Sequence, residues 1–441
     1  MPHGLHRALG RAAWAATLVT SVTTAAAWPG MARAEPRFGD STWVAPSIEI
    51  EGSPSDPGPR VAARDHERVW ETALRAPFRI GFYPLRLVAR GIEATGPLVE
   101  RFFPPGDLFG HAKAKRGLQF SPEILGLTVA APQFAGPGSR MALTGAWTLS
   151  DSRKVKFRGF VGDGVSSVGA GVDAFFEHKP NRPFWGIGNS SPVDKTYFFR
   201  STKLASLYAF AGRSHLRRIR VMVGASDMDV GRGYGASPQA VDVFDPAGVP
   251  FLARDSRFWW YGSSADFAAL DDSLAPSRGL HFRPEVRRYT DNDGSDVRYD
   301  QWRLEARGYL PVFAKRRVLV GRVVYEGVDR RPGSVPIPFY RLPESTDDDR
   351  FAGYPSGRFR DQRLAVGRLE YRWEIERPVS AFLLGELGEV APTTGQLSLR
   401  SAHPSLGGGL RAKIGEQEAG RIEIARGHEG LTIRTDLGVD F

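Results

Sequence analysis

The sequence predicts an all-β protein, a transmembrane antiparallel β-barrel of about 16 strands with a short helical N-terminal extension. Alternating apolar and polar segments run for about 10 to 12 residues, the length of a tilted strand that crosses a bilayer. After the N-terminal segment, no window offers about 18 consecutive apolar residues, so we expect no membrane-spanning helix. The alternation also continues to the last residue, Phe441, whereas the ends of most soluble domains are poorly ordered.

Residues 1–34 have the composition of a secretory signal peptide. Arg7 and Arg11 precede an apolar stretch of small residues, and Ala32, Arg33 and Ala34 supply the small side chains of a cleavage site. A membrane anchor is the alternative, but the stretch is short and rich in Ala and Thr. We therefore expect an exported chain.

Residues 35–65 are rich in Pro, Gly and Ser and are predicted to form a linker. Residues 66–116 are predicted to form a helical periplasmic or plug segment. Within it, Leu85, Val88, Ile92 and Leu98 recur at roughly helical spacing, which indicates an amphipathic helix at about residues 84–102. This helix could fill a barrel, cap its mouth or lie at a membrane surface.

Residues 117–441 are predicted to form the barrel. The clearest strand is YDQWRLEARGYL, in which one set of alternating side chains is apolar or small and the other is polar. The first set is Trp302, Leu304, Ala306, Gly308 and Leu310, and the second is Gln301, Arg303, Glu305 and Arg307. Strands of soluble sandwiches are shorter, about 5 to 6 residues. An even number of strands is expected, because lipid leaves no partner for an unpaired sheet edge.

The C-terminal segment LTIRTDLGVDF continues this pattern. Leu431, Ile433, Leu437, Val439 and Phe441 share one face of the predicted strand. Aromatic residues also cluster at predicted strand ends, where a barrel places its interfacial girdle.

The composition argues against several classes of function. The chain has no cysteine, so it has no disulfide and no thiolate metal site. The net charge of +10 includes Arg7, Arg11 and Arg33, and no basic cluster alternates with stacking aromatics, so we predict no nucleic-acid partner. The chain lacks a GxSxG motif, and its nine histidines form no HxxxH pair. We predict neither an enzyme nor a cofactor or metal site.

A longer stretch, VPIPFYRLPESTDDDRFAGYPSGRFRDQRLAVGRLEYRWEI, resembles the sixth extracellular loop and next strand of the bacterial surface antigen superfamily. That superfamily contains the BamA/TamA-type and two-partner-secretion barrels. The matching loop residues are Gly353, Tyr354, Arg358, Phe359, Arg360 and Asp361, and the matching strand residues are Glu370, Tyr371, Arg372 and Trp373. FLLGELGEV is similar to the family's acidic strand, with Glu386 at the acidic position and Gly388 at the glycine. RPFWGIGNSS, from Arg182 to Ser191, resembles a strand-entry sequence of these barrels.

The resemblance implies that the loop folds back into the barrel lumen. It also implies that Phe441 is a C-terminal signal for the barrel-assembly machinery. The family's loop arginine, which contacts the acidic strand residue, is replaced here by Ala352. We therefore expect Glu386 to pair with Arg350 or Arg358, or else to be hydrated. No segment before the barrel has the strand pattern of a POTRA domain.

The resemblance implies a protein of the bacterial outer membrane, with a role in outer-membrane protein assembly or transport. Its expected partners are outer-membrane lipid including lipopolysaccharide, the barrel-assembly machinery and unfolded outer-membrane client proteins. A passive pore or a structural protein with surface-exposed loops is the alternative. A surface adhesin or antigen that acts through its loops is a third hypothesis.

Overall fold

The computed structural model describes residues 106–437, except 109–111, 122–123, 137, 149–150, 163–167, 215–216, 273–275, 313, 346–350, 377–378 and 415–416. The predicted signal segment 1–34, the linker 35–65 and the helix at about 84–102 lie outside the described residues. Arg350 and Phe441 also lie outside them.

The described chain consists almost entirely of β-strands. They are β1 (Gly106–Leu108), β2 (Ala112–Ser121), β3 (Ile124–Pro132), β4 (Arg140–Thr148), β5 (Arg153–Val161), β6 (Val168–Phe184), β7 (Thr196–Ser214), β8 (Arg217–Gly231), β9 (Ser256–Leu270), β10 (Gly279–Asp291), β11 (Arg298–Val312), β12 (Ala314–Arg330), β13 (Arg363–Glu376), β14 (Val379–Ala391), β15 (His403–Ile414), β16 (Gln417–Gly427) and β17 (Gly430–Leu437). A short helix, α1 (Ala240–Val243), and two 3-10 turns, Phe339–Arg341 and Thr394–Gln396, lie in the connections. Among the described residues, no helix combines the length and apolar character needed to cross a membrane.

The strands form one 17-stranded sheet, in which β1 is a short arm on β2. From β2 to β17, each strand pairs antiparallel with the next strand in the chain. The sheet order places β17 beside β2. The predicted all-β antiparallel class is therefore confirmed, and the number of membrane-crossing strands stays a prediction. β2 begins at Ala112, earlier in the chain than the predicted barrel boundary at residue 117.

The four longest connections between strands all follow even-numbered strands. The longer ones are 185–195, 232–255, 331–362 and 392–402, and they follow β6, β8, β12 and β14. Because successive strands are antiparallel, connections that follow even-numbered strands meet at the same end of the sheet. We call this the loop end and the opposite one the turn end.

The two faces of the sheet differ in polarity, as β11 shows. Leu304 and Leu310 are 38% and 53% exposed on one face. On the other face, Glu305 accepts hydrogen bonds from Arg307 Nε at 2.6 Å and from Arg322 Nε of β12 at 2.8 Å. The predicted division of this strand into an apolar and a charged face is confirmed.

Candidate functional site: the loop between β12 and β13

The connection 331–362, which we call the β12–β13 loop, packs against the charged face of the sheet. Phe339 and Tyr340 are buried in a cluster with Phe184 of β6 and Phe198 of β7. Further along the loop, a second aromatic group packs on another part of the same face, beside β12, β13 and β14. That cluster comprises Phe351, Tyr354, Phe359, Val324, Leu364, Val366 and Val390. Strands far apart in the sheet order therefore contact one loop, so the sheet curves around it. We call the face that the loop covers the inner face.

Arg360 anchors the loop to β6 and β7. Its side chain is 1% exposed and pairs with Glu344 of the same loop. Glu344 also pairs with Arg182 of β6 and lies 3.8 Å from Arg200 of β7. The guanidinium carbon of Arg360 lies 5.4 Å from the centre of the Phe184 ring and 5.3 Å from that of Phe339. Aromatic faces and a carboxylate together suit a buried, planar cation.

Arg358 connects the loop to two other connections at the loop end. Its Nη1 and Nη2 donate to the Oγ and the carbonyl oxygen of Ser191, at 2.6 and 2.9 Å. Its Nε donates to Glu429, in the turn between β16 and β17, at 2.8 Å. The planar donor set of one arginine thus holds together segments from both halves of the sequence.

Asp361 makes a further hydrogen bond within the loop, and Tyr354 contacts segments outside it. Asp361 accepts a hydrogen bond from the backbone N–H of Gln362 at 2.7 Å, and burial raises the pKa of its carboxyl group. The Tyr354 hydroxyl donates to the carbonyl of Pro404 at 3.2 Å and accepts from the N–H of His428 at 3.1 Å. Burial also raises the pKa of Tyr354. Arg434 of β17 donates to the backbone carbonyl of Tyr354, so the last described strand contacts the loop as well.

Glu386 of β14 contacts the loop through a backbone group. The N–H of Ala352 donates to Glu386 Oε1 at 2.7 Å, and Arg368 Nη1 of β13 lies 3.5 Å from Oε2. The predicted pairing of Glu386 with Arg358 is wrong, because Arg358 is directed to Ser191 and Glu429 instead. The amide of Ala352 supplies the loop contact, and the neighbouring strand supplies the positive charge.

Arg368 belongs to a buried ionic network below the loop. Its Nη2 lies 3.0 Å from Glu370 and 2.9 Å from Glu423 of β16. Arg421 bridges the same two carboxylates, at 3.2 and 2.7 Å. The carboxylates are almost fully buried, so each one needs these cationic partners to offset its desolvation.

Two glycines allow the loop to approach the sheet closely. A Cβ at Gly388 of β14 would overlap the ring of Phe351, and a Cβ at Gly353 would overlap the backbone of Gly427 at the end of β16. The family-derived prediction of a special glycine at position 388 thus acquires a physical reason. Its missing side chain leaves the space that an aromatic residue of the loop occupies.

The structure brings most of the predicted residues into one assembly. Six of them lie in the loop against the inner face: Gly353, Tyr354, Arg358, Phe359, Arg360 and Asp361. Glu386 and Gly388 of β14 contact the loop from the sheet. The segment RPFWGIGNSS also joins this assembly, where the N–H of Gly188 donates to the carbonyl of Arg360 at 2.8 Å. Sequence reasoning missed Glu344, Glu429 and Arg368 as partners. Their charges could be read from the sequence, but partners such as Arg182 for Glu344 and Arg358 for Glu429 lie far away in it.

No protein-family model and no curated protein matches the sequence. Among solved structures, BamA from Haemophilus ducreyi lacking POTRA domains 1–3 aligns with a TM-score of 0.54 and 14% identity, over 74% of this chain and 69% of that chain. CdiB from Escherichia coli aligns with a TM-score of 0.50 and 12% identity, over 76% of this chain and 66% of that chain. The resemblance to BamA-type and two-partner-secretion barrels inferred from the sequence is therefore confirmed for the fold: the chain has the architecture of these outer-membrane β-barrels.

Proposed function

We propose that β2 to β17 close into a 16-stranded barrel of the bacterial outer membrane, with the inner face around its lumen. The adjacency of β17 and β2 in the sheet order supports closure. The opposite face carries exposed apolar side chains, among them Leu207, Val221, Val223, Leu383 and Ile433, which suits contact with lipid. Its surroundings would be outer-membrane lipid including lipopolysaccharide, and the barrel-assembly machinery would insert it.

Within that membrane, the proposed role is outer-membrane protein assembly or transport, with the β12–β13 loop as an internal plug. The observation that carries this proposal is the fixation of the loop across the inner face. Glu344 attaches it to Arg182 of β6, Arg358 attaches it to the connections after β6 and β16, and Ala352 attaches it to β14. A loop held by these bonds would obstruct the lumen when the protein is at rest.

Single-channel conductance of the purified mature chain, residues 35–441, in planar bilayers tests the plug. We expect a nearly closed protein, and an open channel when residues 345–361 are deleted. Arg358→Lys provides a milder change, because lysine cannot reproduce the planar contacts to Ser191 and Glu429. We expect this variant to open intermittently.

Arg288→Lys is the matched control. Arg288 pairs with Asp300 at 2.7 Å on the outer face, so this change should leave the protein closed. If the intact protein conducts steadily and the deletion changes little, the plug is wrong and a passive pore takes its place. The charged inner wall of β11 and β12 would suit such a pore.

A vesicle assay tests the assembly role separately. The protein is reconstituted into phospholipid vesicles, and an unfolded small outer-membrane barrel protein is added. Folding of the added barrel is followed by the shift of its band when unheated samples are run on an SDS gel. Acceleration relative to empty vesicles supports assembly of client proteins. An unchanged rate with a protein that is closed by its loop would argue against this client and favour transport.

A further inference from the structure

The outer face of the sheet, opposite the inner face, carries a groove across β5 to β9. The groove has a volume of about 340 Å³. Its floor contains Ala174 of β6, Ala205 of β7 and Ala225 of β8, which pair in register across the three strands. Phe157 of β5 continues this row and borders the groove. The small side chains thus leave a depression in a face that elsewhere carries large apolar side chains such as Leu207.

Charged side chains border the groove on the side of the loop end. Lys203, Asp227 and Arg257 pair in the adjacent row of the same face, and we call this the charged row. Lys203 lies 3.5 Å from Asp227 and 3.2 Å from Asp229, and Arg257 lies 3.5 Å from Asp227. The two cations and two carboxylates balance in charge, but the side chains of Lys203 and Arg257 are 52% and 63% exposed. Exposed ion pairs contribute little stability, so phosphate oxygens can replace the carboxylates as partners of these cations.

Aromatic rings follow the charged row on the same face, still closer to the loop end. Phe199 lies four residues before Lys203 along β7, and alternation therefore places both on the outer face. The centre of the Phe199 ring lies 5.2 Å from that of His178 of β6 and 5.7 Å from that of Tyr234, in the connection after β8. Tyr234 is 64% exposed. Exposed rings with a polar edge present flat apolar faces to which sugar rings can stack.

We infer that this part of the outer face binds one molecule of lipopolysaccharide. The long connections of outer-membrane barrels face the outside, so the loop end and the groove would belong to the outer leaflet. Along β7 toward the loop end, the surface changes from an apolar groove to a charged row and then to aromatic rings. A lipopolysaccharide molecule presents its parts in the same order: acyl chains, phosphorylated glucosamines and core sugars. A phospholipid has no sugars to match the aromatic rings.

The site deepens the proposed function, because it rests on the outer face contacting outer-membrane lipid. It gives one such lipid a fixed place on the wall, on the face opposite the β12–β13 loop. The site is therefore independent of whether the loop closes the lumen.

Native mass spectrometry of the mature chain in detergent tests the groove. Delipidated protein is mixed with rough lipopolysaccharide, which contains lipid A and core sugars, and bound molecules are counted. Ala205→Phe fills the groove, and Ala209→Phe is the matched control on the same face of β7, four residues nearer the turn end. We expect one bound molecule on the unsubstituted chain and on Ala209→Phe, and binding about tenfold weaker on Ala205→Phe. Equal binding by the two phenylalanine variants would overturn the site.

Further ligands and variants test the charged row and the aromatic rings. We expect rough lipopolysaccharide to bind more tightly than lipid A without core sugars, and lipid A more tightly than phosphatidylglycerol. Tyr234→Ala should weaken binding of rough lipopolysaccharide but not of lipid A. Lys203→Gln/Arg257→Gln should weaken binding of both, whereas Arg288→Gln, which removes a cation elsewhere on the outer face, should weaken neither. Equal affinity of the unsubstituted chain for phosphatidylglycerol and lipopolysaccharide would overturn the assignment to lipopolysaccharide.

Insertion into phospholipid vesicles separates failure of this site from failure of the proposed membrane placement. The unsubstituted chain and both phenylalanine variants should insert, because each added ring is apolar and faces lipid. If all three insert and bind lipopolysaccharide equally, the site is overturned and the placement stands. If the unsubstituted chain does not insert, both are overturned. If Ala205→Phe alone does not insert, the variant of the charged row, which leaves the groove unfilled, decides by its loss or retention of lipopolysaccharide.

Discussion

At the scale of single residues, the loop is fitted to the sheet by an absent side chain. Gly388 faces Phe351, whereas Gly385 of the same strand faces away from the loop, and a Cβ built there would lie 3.5 Å from Leu406. One glycine is required by packing and the other is not. The two positions therefore form a natural pair for comparison.

We predict that Gly388→Ala loosens the loop and that Gly385→Ala leaves it in place. The added methyl group would displace Phe351, and overpacking of this kind costs about 1 to 3 kcal/mol. The measurement is the rate of tryptic cleavage within 331–362 in the folded protein. Equal cleavage rates in the two variants would show that Phe351 can move aside at no cost.

The contact between Ala352 and Glu386 shows what substitution at one position leaves intact. A backbone N–H can hydrogen-bond a carboxylate whatever side chain it carries, so the loop keeps this attachment without an arginine at position 352. The positive charge comes from Arg368, which faces Glu386 across the β13–β14 pair. Ala352 thus attaches the loop to Glu386, and Arg368 supplies the positive charge beside it.

At the scale of elements, each strand separates lipid-facing from inner-facing residues by simple alternation. On β12, Val323 is 44% exposed on the outer face, and its neighbour Arg322 contacts Glu305 on the inner face at 2.8 Å. Placing the same side chain at the two positions should therefore have opposite consequences.

We predict that Val323→Lys impairs insertion into lipid vesicles and that Arg322→Lys does not. A lysine that faces lipid near the bilayer midplane costs about 2 to 4 kcal/mol, whereas Arg322→Lys keeps a cation beside Glu305. The folded fraction, measured by the gel shift of unheated samples, gives the result. If both variants insert equally well, the outer face of β12 does not contact lipid.

Strand alternation could be predicted from the sequence, because a period of two decides which face a residue occupies. The faces of β11 follow directly from its residues, and the loop residues Gly353 to Asp361 were identified through their family resemblance. The partners of the loop could not be predicted in this way. Glu429 and Ser191 meet at Arg358 only because the sheet curves, and no local pattern encodes that proximity.

At the scale of the whole molecule, the strands differ in length along the sheet. β7 has 19 residues and β6 and β12 have 17, whereas β5 has 9. On the outer face near the loop end, Lys203 contacts Asp229 at 3.2 Å and Arg257 contacts Asp227 at 3.5 Å. Closer to the turn end, the outer face of β8 is apolar at Val221 and Val223. The ionic residues therefore mark the proposed upper limit of the lipid-facing band.

We predict that a cysteine at position 229 is labelled in intact cells and that one at 223 is not. The chain has no native cysteine, so Asp229→Cys and Val223→Cys can each be probed with a bulky, membrane-impermeant maleimide. Position 229 should be above the lipid and position 223 within it. Equal labelling of both variants would contradict the proposed depth, and the unsubstituted chain gives the background.

The anchoring of Arg358 also has a consequence for folding kinetics. Its partners Ser191 and Glu429 are 167 and 71 residues away along the chain. Contacts between such distant residues form late, because the intervening segments must first be ordered. The loop therefore reaches its bonded state only after the β6–β7 connection and the final hairpin are both in place. The time at which the loop becomes resistant to protease during folding therefore reports when the fold is complete.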